Sequence, residues 1–217
     1  MESIFLQFYL DPDTIALTHA ENWEPSLVVR HGGSPPRSRL VKLALTDLEF
    51  DHTFWMPTRL RLGATELFVC SQRAHPRMEA FNGPGPSLLP EGHAACPWRW
   101  CPVIALAVNA LEWALPQAVD WGEQSMMMGD NGDLVFRVDG TDVAVEYWDV
   151  YAPNLAGPAS RPARHATVGY ADLLEAWEAF AEDVRTQFLA VLPELADNEE
   201  YGPWFREGLA YLRRQPT

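Results

Sequence analysis

Two β-rich runs in residues 134–151 flank Asp139-Gly140. That pair is favoured in two-residue hairpin turns, because both positions tolerate positive φ. A tight hairpin makes its two strands antiparallel neighbours, so the fold must contain an antiparallel sheet. A turn at this pair sets Arg137 opposite Asp142 and Phe136 opposite Val143. Leu134, Phe136, Val138, Val143, Val145 and Tyr147 then share one face, and Arg137, Asp142, Glu146 and Trp148 share the other. The first face is apolar and belongs in a core. The second meets solvent or a partner.

The period then changes. In residues 170–192, Leu173, Trp177, Phe180, Val184, Phe188 and Val191 recur at three- and four-residue steps, which defines one buried helical stripe. Glu175, Glu178, Glu182 and Asp183 lie off that stripe. The acids crowd the helix's first half, where the macrodipole is positive. A second helix is expected from Pro102 to about Leu115, stopping before Pro116. A short last helix is expected from Pro203 to about Arg213, with Phe205, Leu209 and Leu212 on its inner side. Residues 4–10, 26–30, 40–50 and 59–70 read as strands, and residues 31–39 and 152–164 as loops. These elements predict an α+β fold: an antiparallel sheet packed against helices, with the helices mostly in the C-terminal half.

Pro76, Pro84, Pro86, Pro90 and Pro97 interleave with Gly83, Gly85 and Gly92. A stretch this long without regular structure is functional or a boundary. Residues 1–217 are therefore expected to form a single domain, or two subdomains (1–75, β-rich, and 97–217, helix-hairpin-helix) joined by the loop 76–97. The 217 residues are 47 % hydrophobic and 21 % charged, which is ample for a core. The N-terminal Met1-Glu2-Ser3-Ile4-Phe5 lacks a basic region followed by a long apolar run. The longest apolar run, residues 103–115, is broken by Asn109 and Glu112 and is too short to span a bilayer. Three Cys suggest no closed disulfide framework. A cytoplasmic protein with reduced thiols, away from the membrane, is expected.

Charge is unevenly placed. Residues 1–108 carry 9 Lys and Arg against 11 Asp and Glu, whereas residues 109–217 carry 7 against 19. The second half thus holds −12 of the net −14. Excess charge does not choose a fold, but it selects partners and speeds encounters with surfaces of opposite sign. The acids fall into a hairpin group (Asp142, Glu146 and, near the strand end, Asp149) and a helix group (Glu175, Glu178, Glu182). Trp148 stands among the hairpin acids, the way a binding hot spot can be built. Strict alternation turns Asp149 to the other face. Two readings stay open: a solvated face that confers solubility, and a docking surface for a basic protein.

Catalytic motifs are sparse. His93-x2-Cys96-x4-Cys101, with Cys70 and His75, offers N and S ligands of the kind zinc takes, but lacks the usual C-x2-C spacing. Packing of Cys96 and Cys101 as small apolar groups beside Trp98 and Trp100 is the alternative. Gly33-Ser34-Pro35 is not a nucleophile elbow. Neither a phosphate-binding loop nor a dinucleotide fingerprint occurs. His19-Ala20-Glu21 is half of a zinc-deaminase signature without its Pro-Cys-x-x-Cys. A calcium loop starting at Asp130 would have Gly132, Leu134, Val135 and Thr141 at positions needing acids or Gly, so Asp130-Asn131-Gly132-Asp133 reads as a turn. Met126-Met127-Met128 is either gap-filling core or an adaptable binding surface. No cofactor or bound metal is expected.

The segment Asp139-Gly140-Thr141-Asp142-Val143-Ala144-Val145-Glu146-Tyr147-Trp148, then a loop, then Ala166-Thr167-Val168-Gly169-Tyr170 leading into the helix of Trp177, Phe180 and Phe188, resembles uncharacterised bacterial proteins of the immunity-protein type. The resemblance covers roughly half the chain and transfers no catalytic residue. It implies a small acidic cytosolic protein that neutralises a toxin by masking its active site. The expectation is accordingly a non-enzymatic binding protein, an immunity protein or inhibitor. It would cover a basic toxin or nuclease through Asp142, Glu146, Trp148, Asp149, Glu175, Glu178 and Glu182, without contacting nucleic acid itself. An inhibitor whose carboxylates imitate a nucleic-acid backbone is a variant of this. An enzyme with a Cys/His metal site in residues 70–101 is the alternative.

Overall fold

The computed structural model describes residues 4–8, 10, 55–68, 99–128, 132–149, 164–198 and 200–214. The strands expected at residues 26–30 and 40–50, the loops at 31–39 and 76–97, and most of the loop 152–164 lie outside them. So do Cys70, His75, His93 and Cys96. Among the described residues the fold is α+β, with two antiparallel sheets and helices mostly in the C-terminal half.

In the first sheet β2 (Trp55–Leu62) is central. β1 (Ile4–Phe8) pairs along one side of it. β3 (Thr65–Glu66) and β4 (Arg99–Pro102) pair with the two ends of the other side. The strand expected over 59–70 is thus two strands, broken by a turn at Gly63-Ala64. Alternation along β2 sends Met56, Thr58, Leu60 and Leu62 inward, all at most 1 % exposed, and leaves Arg59 and Arg61 outside. There both guanidinium groups sit 5.2 Å from the Phe5 ring centroid, within cation–π range.

Three helical segments follow β4 without a break: α1 (Val103–Asn109), a π-helical turn (Ala110–Ala114) and α2 (Leu115–Trp121). The expected stop before Pro116 does not occur. Proline lacks the N–H and crowds the carbonyl one turn back, but the wider π turn directly ahead of it relieves that conflict, and Pro116 sits in the first turn of α2. Gly122, in the left-handed conformation with φ 80°, ends the helix.

The second sheet is a meander in the order β5 (Glu123–Met127), β6 (Gly132–Asp139), β7 (Asp142–Asp149), β8 (Arg164–Gly169). The expected core face of the hairpin is correct: Leu134, Phe136, Val143, Val145 and Tyr147 are buried. The register is not. The turn is Gly140-Thr141, which pairs Asp139 with Asp142, Val138 with Val143, Phe136 with Val145 and Arg137 with Ala144. Gly140 carries the positive φ, 61°. Moving the turn by one residue shifts each cross-strand partner by two, so every side chain keeps its face.

α3 (Tyr170–Val191) lies against both sheets. Its expected stripe is buried at Leu173, Trp177, Phe180, Val184 and Phe188, with Val191 half-buried. Trp177 meets Phe136 of β6 edge-on at 5.7 Å and donates its indole N–H to the Leu106 carbonyl at 3.2 Å. Phe180 and Phe188 both pack on Phe8 of β1. Phe68 and Tyr147 join the sheets directly, at 5.5 Å. Residues before and after the loop 76–97 therefore share one hydrophobic core. The expected last helix is two, α4 (Gly202–Glu207) and α5 (Leu209–Leu212), divided at Gly208.

Candidate functional site

Register places Glu123, Arg137 and Ala144 side by side on the outer face of the second sheet, with Val135, Glu146 and His165 in the next row. Arg137 bridges two acids. Its Nε donates to Glu123 and its Nη1 to Glu146. The hydrogen bond to Glu123, with the negative charge of Glu146 beside it, raises the guanidinium above its ordinary pKa. The second Glu146 oxygen accepts the Trp148 indole N–H at 3.1 Å. Both oxygens of Glu146 are thus satisfied within the chain, and its side chain is 12 % exposed. Trp148 is half-buried rather than a free ring amid free charges. Asp149 pairs in register with Gly132, and its side chain lies outside the described residues.

The helix acids are engaged as well. Glu178 accepts Arg213 through both oxygens, at 2.8 and 2.9 Å. Glu182 accepts the backbone N–H of Leu209 at 3.0 Å and the Arg185 guanidinium at 3.1 Å. Arg185 in turn donates to the Phe205 carbonyl at 2.9 Å. One acid therefore satisfies an orphan donor at the start of α5, while one arginine satisfies an orphan acceptor near the end of α4. Gly208 makes this corner possible. Its φ is 61°, and a Cβ there would run into Glu182 Oε1. Glu178 and Glu182 are clasps for the C-terminal segment.

What remains bare is the tip of the hairpin. Asp139 and Asp142 face each other directly across the first pair after the turn, where Cα atoms sit about 4.5–5.5 Å apart. Asp142 is also the register partner of Gly169. The Asp172 carboxylate lies over Gly169, 3.1 Å from where a Cβ would stand. All three acids are exposed, and among the described residues none has a cationic partner. Glu175, exposed and one turn on from Asp172, extends the patch along α3. Of the seven residues expected to bind a partner, this surface holds Asp142 and Glu175. The sequence reading missed Asp139 and Asp172. The true hairpin register was the signal for the first, and the position in the opening turn of α3 for the second.

Among the described residues, burial alone raises the carboxyls of Asp133 in β6 and Glu112 in the π-helical turn. Among the described residues no group of three or more His, Cys, Asp or Glu is placed to hold a metal, and no helix is long and apolar enough to cross a membrane. Cys101 is buried opposite Met56. Comparison with known proteins finds no matching family model, no matching curated protein and no matching solved structure.

Proposed function

We propose that this chain is a non-enzymatic binding protein of the immunity or inhibitor kind, cytoplasmic, whose hairpin tip covers a basic surface of a toxin such as a nuclease. One observation carries it. Asp139 and Asp142 stand opposite each other with Asp172 alongside and no cation on them among the described residues. Like charges directly opposite on paired strands are destabilising. A basic partner would neutralise them and turn a local cost into binding energy. The concentration of −12 in residues 109–217 supports the same reading through long-range steering.

The decisive experiment is association, at low and high salt, with basic proteins encoded by the genes neighbouring this chain's own. The on-rate should fall by roughly tenfold or more between low and high salt. Asp139→Lys with Asp142→Lys should weaken binding by roughly tenfold or more and reduce the salt dependence. Salt-independent association, or full affinity in the double variant, overturns the proposal.

A further inference from the structure

The second sheet has two edges, and they are unlike. β8 runs straight into α3 and leans toward β2 and β3 of the first sheet. β5 pairs only with β6 among the described residues. Its hydrogen-bonding parity can be read directly. The Gly122 carbonyl accepts from Val138 N–H at 2.9 Å, and Met128 N–H donates to the Gly132 carbonyl at 2.8 Å. Even-numbered residues of β5 therefore bond β6, and the N–H and C=O groups of Glu123, Ser125 and Met127 point away from β6, to the side on which no described strand pairs.

An open edge is ordinarily guarded by Lys, Pro, a bulge or a covering segment. β5 carries no Lys or Pro. Instead, large apolar side chains mark both its ends: Trp121 is 70 % exposed and Met127 75 %. Met126 and Met128 on either side of Met127 are 1 % exposed, so the same methionine run supplies core on one face and bare surface on the other. The flanking charge is acidic. Asp120 is exposed, Glu123 is half-exposed, and Asp133 lies directly across from Met127. Among the described residues the cation beside them, Arg137, already spans two carboxylates.

We propose that the β5 edge receives an extended basic segment of a partner protein as a fifth strand. Main-chain bonds would form to Glu123, Ser125 and Met127, and apolar side chains of the segment would seat on Trp121 and Met127. Strand addition draws affinity from the main chain and specificity from alternate side chains. The acidic flank, Glu123 and Asp133, lies on the same face as Met127, so it selects a segment whose Lys or Arg alternates with apolar residues along that one face, at every second position. This edge is distinct from the Asp139–Asp142–Asp172 patch, so the two proposals fail separately.

The test is hydrogen exchange of the full chain titrated with a synthetic peptide whose every second residue is alternately Val and Arg, with Thr between them, so that Val and Arg share one face. The same peptide N-methylated along one edge is the control, since it keeps the charge and cannot pair. The amides of Glu123, Ser125 and Met127 should slow by about tenfold or more with the first peptide and stay unchanged with the second. Ser125→Pro removes one outward N–H and leaves the ladder to β6 intact, as proline is tolerated on the free side of an edge strand. It should weaken the peptide by about tenfold, as should Trp121→Ala. Equal binding of the N-methylated peptide, or full affinity in Ser125→Pro, overturns the proposal in favour of simple charge attraction. Protection of these amides in the free monomer would mean the chain covers its own edge. Protection that rises with protein concentration alongside a dimer mass would mean a second copy is the occupant. Either result also overturns it.

Discussion

Glu178 and Glu182, midway along α3, and the acids gathered at the hairpin tip carry the same charge and are used in opposite ways. Glu178 and Glu182 are consumed inside the molecule, one holding Arg213 and the other stitching α4 to α5 through Leu209 and Arg185. Asp139, Asp142 and Asp172 crowd one another with no cation among the described residues. Formal charge therefore says little about which acids are available to a partner. Availability depends on whether a cation or an orphan N–H has already been brought to the carboxylate.

The two groups should separate most sharply in stability. Gly208→Ala should have the largest effect. It puts a Cβ at φ 61° and against a carboxylate that Leu209 and Arg185 both hold in place. A loss of about 2–3 kcal/mol by chemical denaturation is expected. A neutral result would show that Glu182 swings away freely and is no clasp. Glu182→Ala should cost about 1–2 kcal/mol, since it strips the bond from Leu209 N–H and unpairs Arg185. In contrast, Asp142→Asn at the tip should stabilise the free protein by a few tenths of a kcal/mol, by relieving the repulsion from Asp139, while weakening any basic partner. If Asp142→Asn destabilises as Glu182→Ala does, the distinction between the two groups collapses.

The sequence exposed what is periodic and local, and hid what depends on distant pairing. The hairpin's core face and the stripe on α3 were legible because alternation and the 3.6-residue period are fixed by backbone geometry. The turn was misplaced because Asp139-Gly140 and Gly140-Thr141 leave identical faces inside, and only the full ladder to Asp149 and the bond from Tyr170 N–H to the Thr141 carbonyl, 2.8 Å, distinguish them. Pro116 misled because a proline rule is local and the π turn that accommodates it has no sequence signature. Strand β4 went unread because Arg99–Pro102 acquires its pairing only from β2, far upstream. The division of the acids was invisible for the same reason. Glu178 and Arg213 are 35 residues apart, and no periodicity within one helix announces that a later segment will return to it.

Glu112 belongs to neither group, and its titration is the finest test of the scheme. It sits half-buried in the π-helical turn, and burial raises its carboxyl above the ordinary value of 4.5. No cation among the described residues offsets that. The sign follows directly. Below the unfolded pKa the group is protonated in both states and contributes nothing. Above the raised folded pKa it is ionised in both states, and the folded protein bears the full penalty of the buried charge. Between the two the folded state binds more protons, so stability falls as pH rises through that window. Glu112→Gln removes the group, so the variant should be more stable than the parent at neutral pH. The difference should shrink to nothing as pH falls toward 4.5. Asp133, raised in the same direction, is present in both proteins and cancels in the difference. A gap that stays constant with pH would mean the carboxyl is as well solvated as an exposed acid, and only the clasp and tip groups would then remain to be told apart.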